Sequence, residues 1–141
     1  TESECGIGRQ RPGNTPNTFF HLINHYLRNG ATAYTYWNMV LTDIVSTWGW
    51  KQNSLYSVDS ASGTLTRNPE WYVMRHFSAF ARPGAVVLGT TGHFNSMGIA
   101  LRNPDGSIVV VVQNALDRPL DFDFRRSRES RALALFGVGL V

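Results

Sequence analysis

Cysteine occurs once in the 141 residues, at Cys5. A single thiol excludes an internal disulfide and a cysteine-built zinc centre. Lysine is as scarce: Lys51 is the only one, so arginine carries nearly all of the formal net charge of +3. Charged residues make up 16%, against roughly 25% in an average globular chain. A low charge fraction beside 43% hydrophobic and 12% aromatic residues excludes a disordered chain. Long apolar runs are missing too. None exceeds the strand-sized Ile108 to Val112, far short of the roughly 20 residues of a membrane helix, so no membrane span is expected. No initiating Met and no signal-peptide pattern are present. The opening Thr1-Glu2-Ser3-Glu4-Cys5-Gly6 reads as the middle of a polypeptide. Gly6-Ile7-Gly8 lacks the further Gly and the following Lys-Ser/Thr of a phosphate cradle, and no Ser-His-Asp ordering stands out.

What is present is aromatic and arginine-rich. Arg125, Arg126, Arg128 and Arg131 form the one basic cluster, with only Phe124 and Phe136 nearby. Nucleic-acid binding asks for interleaved aromatics, so this reads as a solvated face and no nucleic-acid partner is expected. The other aromatics serve a core first and flat-ligand contacts second. At 141 residues the chain can build one domain or parts of two.

The pattern of elements changes midway. Gly6 to Asn14 is a polar loop. Thr15 suits a helix N-cap and Pro16 the first helical position, and Phe19, Leu22, Ile23, Tyr26 and Leu27 then form one apolar face. Gly30 ends that helix, and Ala31 to Trp37 reads as a strand. A long polar and aromatic loop runs from Asn38 to about Asn53, with a short extended piece at Leu55 to Val58. Asn68-Pro69-Glu70 starts a second helix, with Val73, Phe77, Phe80 and Ala81 on one face and Pro83-Gly84 as its stop. Beyond Gly84 come strand-like runs at Ala85 to Thr91, Ser96 to Arg102, Ser107 to Asn114 and Leu120 to Phe124, with Asn103-Pro104-Asp105-Gly106 as a turn. Strands linked by helices imply a parallel sheet, and the later run implies an antiparallel one. The expected fold is therefore α/β plus all-β: the last βα units of a barrel over residues 1–84, then an incomplete β-sandwich over 85–141.

Several stretches resemble the C-terminal pattern of glycoside hydrolase family 30, the family that includes acid β-glucosylceramidases. They are Thr1 to Gly6, Asn29-Gly30-Ala31 through Tyr34-Thr35-Tyr36-Trp37-Asn38-Met39-Val40-Leu41, and Trp48-Gly49-Trp50-Lys51-Gln52-Asn53-Ser54. Tyr72 to Ser78, Arg82 to Ala85 and Asn103 to Ser107 complete a set that keeps the family's order over residues 1 to about 115. The resemblance implies a (β/α)8 TIM barrel with an attached β-sandwich. It also implies Glu2 at the end of barrel strand seven, Trp37 at the end of strand eight, and an active site at those strand ends.

A retaining glycosidase uses two carboxyl groups about 5–5.5 Å apart, one attacking the anomeric carbon and one protonating the leaving oxygen. The residue matching the family's nucleophile is Glu2, after Thr1. Glu4, two residues on, shares a face with it in an extended chain, so alternation does not separate the two; only the Thr-Glu match favours Glu2. The family's acid/base follows an Asn, and no Asn-Glu pair occurs here. Asp43, Asp59 and Glu70 have no motif that makes them substitutes. By this resemblance the chain is a fragment, inactive alone, of an enzyme hydrolysing β-glucosidic bonds of a glucosylceramide or β-glucan type. Its implied partner is a carbohydrate or glycolipid, its implied location secreted or periplasmic, and no cofactor or metal is called for.

Trp37 matches an indole that stacks on the first sugar, or else it is a core Trp. Asn38 hydrogen-bonds a hydroxyl or shapes the turn. Trp48 and Trp50 belong to the following loop, and Trp50 is a subsite candidate. His21 and His25 have the i, i+4 spacing of metal ligands but no Glu after the first, so a polar stripe is expected. A non-catalytic carbohydrate-binding β-module using Trp37, Trp48 and Trp50 as a platform is the alternative. Arg125 to Val141 carries no family match, and irregular packing is expected there.

Overall fold

In the computed structural model, residues 2–4, 15–42, 53–93 and 95–125 are described. The elements in order are β1 (Glu2–Glu4), α1 (Thr15–Arg28), β2 (Thr35–Trp37), β3 (Val40–Thr42), β4 (Tyr56–Val58), β5 (Leu65–Arg67), α2 (Pro69–Ser78), β6 (Val86–Leu88), β7 (Gly98–Arg102) and β8 (Ile108–Val112). A 3-10 turn at Asn95–Met97 leads into β7. They form three small sheets: β1-β2, β3-β4-β5 and β6-β7-β8.

β1, α1 and β2 make a parallel βαβ unit, with Glu2 opposite Thr35, Ser3 opposite Tyr36 and Glu4 opposite Trp37. α1 ends where its sequence says. Ala31 N–H donates to Tyr26 O at 3.0 Å and Gly30 N–H to Leu27 O at 3.3 Å, the crossed pair of a Schellman cap. Gly30 supplies the positive φ of 91° that this cap needs. Because Ala31 is spent on the cap, β2 begins at Thr35 and not at Ala31.

β3 lies inside the stretch expected as loop. It pairs parallel with β4, which pairs antiparallel with β5. The β4–β5 hairpin closes on Asp59, whose Oδ1 accepts from the N–H of Ala61 at 3.0 Å and of Ser62 at 2.6 Å. Gly63 takes φ 70° in the same turn. Three-residue strands carry too little periodicity to announce themselves in sequence.

α2 starts at Pro69 after Asn68, as expected, but Asn68 makes no side-chain cap. Its amide donates instead to Ser54 O and Ser57 Oγ, both at 2.8 Å, tying the helix start to the sheet. The helix stops at Ser78, ahead of Pro83. Buried Asn103, in the β7–β8 turn, accounts for the chain leaving the helical path here. Its Nδ2 donates to Phe80 O at 3.0 Å, and its Oδ1 accepts from Arg82 N–H at 3.0 Å. Gly84 then turns at φ 85° close to that loop: a Cβ there would stand 3.3 Å from Pro104 Cγ.

β6, β7 and β8 form an antiparallel meander. Ile99, Leu101 and Val111 share one of its faces and are buried with Phe19, Phe20, Ile23, Tyr36 and Phe77 in a single cluster. One core therefore joins α1, α2 and β2 to the meander. Leu120 to Phe124, expected as a strand, has no ladder, although Leu120, Phe122 and Phe124 are half-buried while Asp121 and Asp123 are exposed. The alternation survives where no neighbouring strand supplies hydrogen bonds among the described residues.

Candidate active site

The site is built from the register of β1 and β2. Tyr36 is buried on the α1 side, its ring 4.4 Å from that of Phe19. Thr35 and Trp37 flank it and belong to the opposite face, where Trp37 is 47% exposed. Glu2 and Glu4 occupy the register positions of Thr35 and Trp37, so backbone alternation assigns both to that face. Neighbouring strands lie about 4.8 Å apart. Trp37 and the backbone positions of Glu2 and Glu4 thus lie on one face of a parallel strand pair. The register does not single out Glu2 from Glu4, and their side chains lie outside the described residues.

Trp37 joins Asn38 through a cis peptide bond. Asn38 is half-buried and its backbone is held on both sides: its N–H donates to Asn53 O at 3.4 Å, and its carbonyl accepts from Leu55 N–H at 3.0 Å. Tyr56 N–H donates to Met39 O at 2.9 Å, continuing the contact into the β3–β4 pair. The chain is thereby fixed where it leaves the strand end. Trp48, Trp50, Lys51 and Asp43 lie outside the described residues, as do Cys5 and residues 126–141.

The remaining acids have local roles. The Asp59 carboxylate accepts from its own turn, and Ser62 holds its pKa below the usual carboxylate value. Asp105 is lowered likewise, by the side chain and backbone N–H of Ser107. Glu70, placed by sequence at a helix start, is buried, and loss of solvent pushes its carboxyl above the ordinary range. His21 and His25 are exposed on α1, and no cluster of three metal-ligating side chains occurs among the described residues. No helix there is long and apolar enough to cross a membrane.

Two features escaped sequence reasoning. Trp71 on α2 is stacked by Arg67 at 4.5 Å and Arg75 at 5.4 Å, a cation–π pair of which only the i, i+4 half was readable. Asn24 and Arg28 on α1 reach the β6–β7 connection, and no local pattern marks a contact across more than 60 residues.

Residues 84–135 match the family described as the glycosyl hydrolase family 30 β-sandwich domain. That match runs past residue 115, where the motif resemblance ended, and into the arginine-rich stretch expected to fall outside it. An endo-1,6-β-D-glucanase of Neurospora crassa is 38% identical over 71 residues, covering 45% of this chain and 15% of that protein. The endo-1,6-β-D-glucanase neg1 of Aspergillus fumigatus is 39% identical over 59 residues, 38% of this chain and 12% of that protein. The match thus spans less than a sixth of either relative. Among solved structures, SrfJ from Salmonella typhimurium aligns with a TM-score of 0.70 at 25% identity, over 79% of this chain and 26% of that one. The endo-β1,6-glucanase BT3312 shares the fold, with a TM-score of 0.62 at 23% identity over 81% of this chain and 28% of that one. The ordered motifs, the sandwich match over residues 84–135 and these relatives agree in pointing to glycoside hydrolase family 30.

Proposed function

We propose that this chain supplies the nucleophile side of the active site of a retaining β-glycosidase. In this reading residues 1–84 are the last units of a (β/α)8 barrel and residues 85–141 belong to its β-sandwich. The Glu2 carboxylate attacks the anomeric carbon as the bond to the leaving oxygen breaks. A second carboxyl, from a segment preceding this chain, gives that oxygen its proton. Water, deprotonated by the same group, then displaces Glu2 and regenerates both carboxyls. Trp37 offers its indole face to the apolar C–H face of the sugar, and Asn38 and Trp50 border the same subsite. The relatives named endo-1,6-β-glucanases favour a β-1,6-linked glucan over a glucosylceramide as substrate.

The observation that supports this reading is the β1–β2 register, in which Glu2 pairs with Thr35 and Glu4 with Trp37, itself 47% exposed. Resemblance to the family supplies the chemistry, and the Thr1-Glu2 match chooses between the two acids. Labelling the full-length protein with a 2-deoxy-2-fluoro-β-glucoside is expected to modify Glu2. Modification of Glu4, or of neither, would overturn the assignment. The 141-residue chain alone, lacking the second carboxyl, is expected to leave an aryl β-glucoside intact.

A further inference from the structure

We infer that Arg28 and Asn24 are positioning residues that lock α1 onto the β6–β7 connection and so fix the strand pair carrying Glu2 and Trp37. This rests on the reading of Glu2 as nucleophile. Arg28 Nε donates to Asn24 Oδ1 at 2.7 Å, one turn back on α1. Its Nη2 donates to Gly98 O and to Thr90 Oγ1, both at 2.6 Å. The same nitrogen meets Asn95 O at 3.2 Å and Asn95 Oδ1 at 3.3 Å. Asn24, 4% exposed, donates through Nδ2 to Ser96 O at 3.1 Å and Gly98 O at 3.5 Å. Thr90 Oγ1 also bonds Asn95 Oδ1, closing the network. At the other end of α1, Gln113 Nε2 bonds Asn17 Oδ1, just beyond β8. The helix is thus held at both ends by the meander.

The route from this clamp to the site is short. After Arg28 the helix closes on Gly30 and the chain enters β2 at Thr35. Phe19, wholly buried, packs its ring on Tyr36, and the Tyr26 ring lies 6.0 Å from that of Tyr34. Tyr36 is the register partner of Ser3, between Glu2 and Glu4. In a close-packed interior a shift of α1 has no void to absorb it, so it passes into β2 and its partner strand. A helix C-terminus favours a cation, and a guanidinium adds a fork of donors to that charge.

Removing the clamp should act on the chemical step more than on binding, because nucleophile placement is what suffers. A misplacement of about 1 Å costs on the order of 100-fold in rate. In the full-length protein, Arg28→Gln is expected to lower kcat and the rate of Glu2 labelling by the fluoro sugar by about 10- to 100-fold. KM should stay within about twofold, since the sugar's own contacts remain. Arg28→Lys, which keeps the charge without the forked donors, should fall between. Asn103→Ala is the control: it breaks a buried link between the segment just after α2 and the β7–β8 turn, whose side-chain bonds do not touch α1 or β2. It should lower Tm at least as much as Arg28→Gln and leave the labelling rate within about twofold. Parental labelling in Arg28→Gln sinks the inference, as does equal slowing in Asn103→Ala. If Arg28→Gln does not fold, parental labelling in Arg28→Lys decides against it. Failure of the parent to label at Glu2 is a different outcome, which removes the nucleophile reading itself.

Discussion

Glu70 answers two opposing demands. The first turn of a helix favours an acid, because its free N–H groups point toward the side chain. Yet burial leaves Glu70 5% exposed, and the cost of desolvating a carboxylate is the larger effect, raising its pKa above 4.5 despite a hydrogen bond from its own N–H. A raised acid pKa means the folded chain holds this proton more tightly than the unfolded one. Stability from this group is therefore full below pH 4.5 and is lost as pH rises through the folded value. Glu70→Gln should accordingly melt above the parent at about pH 7, and the gap should close below about pH 4.5. Melting curves across that range check it; a gap that ignores pH would refute it. Asp59 and Asp105 have the opposite sign, since hydrogen bonds lower them, and lose that support as pH falls. Being fully exposed, they affect their own turns and not the whole fold. The acids also show where sequence reading stops: the caps were legible as motifs, but the burial of Glu70 depends on what packs over the helix start.

Among the elements, α1 is the hub. Its apolar stripe was legible from spacing, and the structure buries Phe19, Phe20 and Ile23 from it while leaving His21 and His25 in solvent. Phe19→Ala should cost about 3–5 kcal/mol and Ile23→Val about 0.5–1.5 kcal/mol, whereas His21→Ala should change stability by less than about 0.5 kcal/mol. Denaturant midpoints of the three variants test this ordering, and a His21 effect as large as that of Ile23 would contradict it. The short strands were another matter. β3 and β5 have three residues each, too few to show a period, and exist because β4 lies between them with free ladder groups. Leu120 to Phe124 is the converse, a sequence with a period of two and no ladder among the described residues.

For the molecule as a whole, the change of pattern at Gly84 is not a break in packing. Ile99, Leu101 and Val111 of the meander are buried against α1 and α2, and polar links at Asn17–Gln113, Arg28–Thr90 and Asn103–Phe80 surround that contact. Residues 84–141 expressed alone would expose this face. They should bind a hydrophobic dye and unfold without cooperativity. A sharp, concentration-independent melt would mean that the sandwich segment carries a sufficient core of its own.

The amino-acid order by itself determined the two helices, the Asn103 to Gly106 turn, the antiparallel character of the second half and the resemblance to the family. Each rests on interactions within a few residues or on motifs read in a line. Only the tertiary structure decided which polar residues of α1 would bind the meander, that Glu70 would be buried, and that positions 2 and 4 would stand beside Trp37. Those outcomes join segments tens of residues apart, and no local pattern encodes a partner at that distance.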